Sequence, residues 1–78
     1  MSALVYNFFM NILYKRLKEI RTERGLKLKE VAEQLNVTIR SISRYEEGTR
    51  EPSVDLIIQF CKFYDVSSDY LLGLTDRY

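Results

Sequence analysis

Apolar residues recur at helical spacing along most of this chain. Ile12, Leu13, Leu17 and Ile20 form one such stripe, and Gly25 follows it as the residue that most easily adopts a left-handed helix end, so a first helix is predicted from about Asn11 to Arg24. Leu28, Val31, Ala32 and Leu35 stand at i, i+3, i+4 and i+7, the signature of a second, short helix, and Asn36, which tolerates positive φ, interrupts it. Thr38 is a good N-cap for a third helix, with Ile42 and Tyr45 as its inward stripe and an end before Gly48. Thr49 to Pro52 reads as a loop. Ser53 caps a fourth helix that turns Leu56, Ile57, Phe60, Cys61 and Tyr64 inward and exits at Asp65, and the run from Ser67 through Asp69, Tyr70, Leu71 and Leu72 to Gly73 reads as a cap, one or two turns and a stop. Upstream, Leu4, Val5, Phe8 and Phe9 continue into Ile12 and Leu13 at a spacing that makes one long helix with an exposed apolar stripe. A disordered tail or a short strand is the competing reading of Met1 to Phe9.

The pair of short helices around Asn36 is the most informative unit. Two helices that cross steeply over a three- or four-residue turn need particular residue sizes at particular places. Ala32 permits close approach, Asn36 makes the turn, Val37 tucks beneath it and Ile42 plugs the angle from the other side. A helix-turn-helix over about Leu28 to Glu46 accounts for this order; an ordinary helical hairpin in a bundle is the plainer alternative.

Seventy-eight residues, nearly half of them apolar and over a quarter charged, allow one modest globular core and leave no room for a second catalytic domain. The single Cys61 cannot form an internal disulfide, and neither a secretory leader nor an apolar run of ~20 residues is visible, so a reducing cytoplasm is expected. Asn36-Val37-Thr38 matches a glycosylation sequon but is better explained as the turn into the third helix. The net charge of +1 is unevenly spread: through Arg50 ten Lys and Arg face six Glu, whereas from Glu51 onward two face five acids. The basic part is therefore the part that carries the helix-turn-helix, as phosphate neutralisation requires, although a solvated helix face of mixed charge gives the same count.

An enzyme finds little support. The chain has no His, Cys61 lies on an inward face without an activating partner, and the carboxylates Glu46, Glu47, Asp65 and Asp69 are not accompanied by any sign of a cleft. No cofactor and no metal are expected. Six tyrosines could stack on unpaired bases, but Tyr45, Tyr64 and Tyr70 fall at core positions of the helical pattern.

Gly25-Leu26, Val31-Ala32, Leu35, Val37-Thr38, Ile42-Ser43-Arg44-Tyr45-Glu46, Gly48, Pro52-Ser53 and Asp69-Tyr70-Leu71-Leu72-Gly73 stand in a recognisable order and spacing. Together they resemble the Cro and lambda-repressor-like family, also called the xenobiotic-response-element type, over about Met10 to Asp76. The resemblance implies an all-α, compact five-helix domain, preceded by an extension over residues 1–9 and followed by a two-residue tail at 77–78. It also implies a double-stranded operator DNA partner, a homodimer on a palindromic site, formed either free or only on DNA, and a stand-alone, Cro-sized repressor. By the same resemblance Arg21 and Glu46 form a partly buried ion pair that holds Arg21 near a phosphate, and the dimer surface involves Ser67 to Leu72 and the tail, with Leu74 left over from the core pattern. At the start of the second helix the family commonly has a small polar cap and then a Gln that touches the DNA backbone; here Lys27 and Leu28 stand there, and Lys27 and Lys29 are the substitutes for phosphate contact.

With Thr38 as cap and Ile42 and Tyr45 inward, Ile39, Arg40, Ser43 and Arg44 occupy the outer side of the same two turns. They coincide with the major-groove positions of the family. An Arg can bond guanine O6 and N7 together, and an exposed Ile can lie against a thymine methyl. Thr38, Ser41 and the loop residue Arg50 are expected on sugar and phosphate, where they add affinity without sequence information. The rival from another class is a protein-interaction module, such as an antitoxin-like partner, whose helix-turn-helix serves assembly.

Overall fold

Each helix start after the first is set by a cap. In the computed structural model, which describes residues 3–78, the elements run α1 Ala3–Glu23, α2 Leu28–Leu35, α3 Ile39–Glu47, α4 Val54–Tyr64 and α5 Ser68–Leu71, with no strand among the described residues. The Thr38 hydroxyl accepts the Ser41 amide at 3.1 Å, that of Ser53 accepts the Leu56 amide at 3.2 Å, and that of Ser67 accepts the Tyr70 amide at 3.0 Å. Each satisfies one of the amides that a helix start leaves without a partner. Lys27 has no oxygen to offer at the start of α2. There the Glu30 carboxylate accepts the Lys27 amide at 3.0 Å, so half of a capping box does the work.

The turn between α2 and α3 is made as the residue sizes require. Asn36 sits in the left-handed region at φ 55°, ψ 45°, and the Val37 amide returns to the Ala32 carbonyl at 3.0 Å. Ala32 and Ile42 are buried, and Val37 is partly buried against the same core. Gly48 ends α3 at φ 79°; a Cβ there would lie 2.5 Å from Cδ2 of Tyr14, so both the backbone conformation and the approach of α1 demand glycine.

One core unites the helices. Leu13, Leu17 and Ile20 of α1, Val31 of α2, Ile42 of α3, Phe60 and Tyr64 of α4 and Leu71 of α5 are all buried. Helix α3 packs on both α1 and α2, α2 also packs on α4, and α5 joins α1 to α4. Tyr45 stands edge-on to Phe60, which stacks with Tyr64, so Tyr45 and Tyr64, like the buried Tyr70, serve packing. Cys61 is half-buried against the core, and burial pushes its thiol pKa up, which makes it a poor nucleophile.

Two features differ from the expectation. The first helix begins at Ala3, earlier than Asn11, and runs unbroken to Glu23, so the long-helix reading of the apolar series from Leu4 to Leu13 holds over the tail or strand, because no breaker interrupts it. Met1 and Ser2 of the expected extension lie outside the described residues. The C-terminal residues are also tied down. The Arg16 guanidinium donates to the carbonyls of Tyr70 and Thr75, pairs with Asp76 at 2.8 Å and lies 4.4 Å from the centroid of the Tyr70 ring. Tyr78 packs edge-on against Tyr70 with ring centroids 4.8 Å apart and donates its hydroxyl proton to Glu23, a bond that raises its pKa to about 12.

Candidate nucleic-acid interface

Helix α3 divides into two faces. Ile42 and Tyr45 point into the core, while Ile39 and Arg40 are exposed and Ser43 and Arg44 are half-buried on the outer side. The guanidinium groups of Arg40 and Arg44 make no hydrogen bond or ion pair among the described residues. Ser43 is engaged: its hydroxyl donates to the Glu47 carboxylate at 3.0 Å, one turn on. A Ser43 contact to DNA therefore requires that bond to be exchanged. Glu47, named above only among carboxylates without a cleft, stands at the i, i+4 spacing from Ser43 that signals this contact.

At the start of α3 a small polar cluster gathers three of the residues expected on the DNA backbone. The Thr38 hydroxyl donates to the Ser41 hydroxyl at 2.9 Å, and Arg50 donates to the same Ser41 oxygen at 3.3 Å while its guanidinium lies 5.7 Å from the centroid of the Tyr45 ring. The loop thus folds Arg50 back beside α3. A neighbouring bond fixes the loop itself, since the Tyr6 hydroxyl on α1 donates to Glu51. Lys27 and Lys29 lie exposed at the start of α2, with Lys29 4.0 Å from Glu33 in an exposed pair. Leu28, where a polar contact is common in the family, packs against the core instead.

Arg21 and Glu46 form the strongest polar contact of the region. Nε of Arg21 donates to Oε2 of Glu46 at 2.7 Å and Nη2 to Oε1 at 2.9 Å, while Nη1 donates to the Leu26 carbonyl at 2.9 Å. The side chains are only 13% and 7% exposed. The hydrogen bonds that Arg21 donates to Glu46 raise the Arg21 pKa further, so the charge is permanent. This two-pronged contact fastens the end of α3 to the end of α1 and occupies all three guanidinium nitrogens of Arg21. Beside it lies a shallow hollow lined by Lys18, Arg21, Leu28, Ser43, Glu46 and Glu47. Lys18, which the sequence reading did not select, is exposed there and extends the basic edge past α3.

Among the described residues no group of three or more His, Cys, Asp or Glu is placed to hold a metal, and no helix is long and apolar enough to cross a membrane.

Residues 17–71 match the family described as "Helix-turn-helix". The chain is 46% identical over 61 residues to the HTH-type transcriptional regulator ImmR of Bacillus subtilis, covering 78% of this chain and 48% of that protein. It is 34% identical over 59 residues to the HTH-type transcriptional activator BcrR of Enterococcus faecalis, covering 76% of this chain and 29% of that one. It also superposes on the crystal structure of a transcriptional regulator from Listeria innocua with a TM-score of 0.75 at 29% identity, over 85% of this chain and 62% of the other. The chain spans about half the length or less of these curated relatives. The matched stretch contains all of α2, α3 and α4, the Arg21–Glu46 bridge and the outer face of α3. On this evidence the chain belongs to the Cro/C1-type, or xenobiotic-response-element type, helix-turn-helix family of transcriptional regulators, whose fold is a DNA-binding rather than an enzymatic one.

Proposed function

We propose that the protein is a sequence-specific repressor that reads double-stranded operator DNA with the outer face of α3 and works in the cytoplasm as a pair on a palindromic site. The observation that carries this reading is the state of that face. Ile39 is 48% exposed beside Arg40 and Arg44, two guanidinium groups without a hydrogen bond or ion pair among the described residues, on a helix whose other side is locked into the core. Such a surface offers bidentate donors for guanine and an apolar contact for a thymine methyl, at fixed spacing. Thr38, Ser41 and Arg50 form the adjoining phosphate contact, Lys27 and Lys29 extend it, and Arg21 holds the helix in place with at most a glancing phosphate contact of its own. Ser43 joins the reading face when its proton leaves Glu47 for a base or phosphate acceptor.

Pairing follows from the length of the reading surface. A nine-residue helix reaches three or four base pairs, too few to single out one operator, and two-fold pairing doubles the site with the two reading helices ~34 Å apart. By family resemblance α5 and the segment after it, with the exposed Leu74, supply the surface between the two copies. Occupancy of a promoter by such a pair blocks transcription without any further contact, which favours repression.

The test compares Arg40→Ala and Arg44→Ala with Arg50→Ala on an operator selected from random DNA and on a scrambled duplex. The first two are expected to lose discrimination of ~1–3 kcal/mol each, and Arg50→Ala to weaken both DNAs alike and flatten the dependence on salt by about one phosphate. Equal losses on both DNAs for all three variants overturn the assignment of α3. An absence of salt-dependent binding to any duplex favours the protein-interaction module.

A further inference from the structure

Arg50 and Glu51 are neighbours of opposite charge that the fold sends in opposite directions. Arg50 folds onto α3, donating to the Ser41 hydroxyl and lying over the Tyr45 ring, while Glu51 turns toward α1, where its carboxylate accepts a hydrogen bond from the Tyr6 hydroxyl. Among the described residues Arg50 makes no ion pair. The backbone of the loop is held on both sides of these residues, since the Thr49 amide returns to the Arg44 carbonyl at 3.1 Å and Pro52 is buried. What remains to be decided is where the two charged side chains go. Tyr6 can hold one of them because its face of α1 is anchored: Tyr6, Met10 and Tyr14 stand at i, i+4 and i+8, Met10 is buried, and the Tyr14 ring lies against Gly48 at the start of the same loop. The bond to Glu51 raises the Tyr6 pKa from 10.0, so the phenol remains a donor at neutral pH.

We infer that Tyr6 is a positioning residue for DNA binding, which holds the Glu51 carboxylate and so leaves Arg50 free to meet a phosphate. Without the Tyr6 hydroxyl the carboxylate has no partner on α1, and the cation next to it in the chain is Arg50. A pair between the two neutralises the guanidinium and has to be undone before a phosphate takes its place, which weakens binding to any duplex. Tyr6 thus acts through Glu51 on Arg50 and touches no DNA itself. It lies outside residues 17–71, the stretch that matches the family, so this control belongs to the upstream turns of α1 in this chain. The inference rests on the phosphate contact proposed above for Arg50.

The experiment is a cycle of variants of the whole chain, titrated onto a scrambled duplex over a series of salt concentrations: Tyr6→Phe, Glu51→Gln, Arg50→Ala, and Tyr6→Phe combined with each of the other two. Thermal melting confirms that every protein is folded. Tyr6→Phe keeps the ring and removes only the hydroxyl. It should weaken binding ~3-fold, the scale of one exposed charged contact, and flatten the salt dependence in the same sense as Arg50→Ala. Combined with Glu51→Gln the same change should have no effect, because a neutral amide does not capture Arg50, and combined with Arg50→Ala it should have none because nothing is left to capture. No loss for Tyr6→Phe alone overturns the inference. So does a loss that persists in either combination, since it then arises from α1 itself. The two readings fail separately: if Arg50→Ala weakens binding and Tyr6→Phe does not, the role of Tyr6 falls and the phosphate contact stands, whereas an Arg50→Ala chain that binds as the unaltered one does, or an unaltered chain that binds no duplex, removes the phosphate contact and the role of Tyr6 with it.

Discussion

The helix-turn-helix and the N-terminal arm of α1 share one molecule and solve opposite problems. Around α2 and α3 the chain must hold a polar, basic surface in one shape, and it does so with internal polar bonds: Thr38 on the Ser41 amide, Glu30 on the Lys27 amide, and Arg21 forked onto Glu46. Among the described residues Arg40 and Arg44 are left without a hydrogen bond or ion pair on that support. The arm is the reverse, an unbroken helix whose large exposed side chains, Leu4, Val5, Tyr6 and Phe8, are mostly apolar. Preorganised polar groups recognise another polar molecule at small entropic cost, whereas an exposed apolar helix gains only when something covers it.

The contrast is broken most severely by Glu46→Gln. This change leaves the Arg21 charge 87% covered without its counter-ion, and ~3–5 kcal/mol of unfolding free energy should be lost, measured by chemical denaturation. A loss below ~1 kcal/mol is the response of an ordinary surface pair and would deny the bridge its structural role. Thr38→Ala removes the cap of α3 and is expected to lose about 1 kcal/mol, with weaker DNA binding because the start of the reading helix frays. No change in melting temperature or in affinity would show that the cap is dispensable.

In the arm, Phe8→Ser should alter the unfolding free energy by no more than ~0.5 kcal/mol, as for an exposed surface site, measured by chemical denaturation. A large stability loss would mean that Phe8 belongs to the domain core. The smallest effect is expected at the other end of α1. The hydrogen bond to Glu23 raises the Tyr78 pKa from 10.0 to about 12, so the neutral phenol is favoured in the folded state. The stability this bond contributes is complete below pH 10 and is lost as pH rises through about 12. A Tyr78→Phe chain should lack that part of the alkaline dependence, seen by comparing melts of the two proteins between those pH values.

Much of this architecture was legible because helices announce themselves locally. The i, i+3, i+4, i+7 series of α2, the caps Thr38, Ser53 and Ser67, the left-handed Asn36 and the inward positions of Ile42 and Tyr45 each depend on neighbours within a turn or two. The start of α1 had two readings: Met10 and Asn11 look like a beginning by resemblance, whereas the apolar spacing from Leu4 to Leu13 makes one long helix, and the second holds because nothing between Ala3 and Phe9 physically stops a helix. Two long-range staples escaped notice. Arg16 gathers Tyr70, Thr75 and Asp76, and Tyr6 reaches Glu51, across separations of 54, 59, 60 and 45 residues that no periodicity encodes.

The sequence by itself determined the five helices, their buried stripes and the outward set of Ile39, Arg40, Ser43 and Arg44, because side-chain direction follows from helical repeat and cap position. Only the tertiary structure decided which of those groups are available. It left Arg40 and Arg44 without a hydrogen-bond or ion-pair partner among the described residues, tied Ser43 to Glu47, drew Arg50 back onto Ser41, and committed Arg21 to Glu46 and the Leu26 carbonyl. It also decided that part of the apolar stripe of the arm finds no cover among the described residues, leaving Leu4 and Phe8 exposed while Met10 is buried. The reason is the same in each case: direction along a helix is a local property, whereas a partner's proximity is set by how the helices pack.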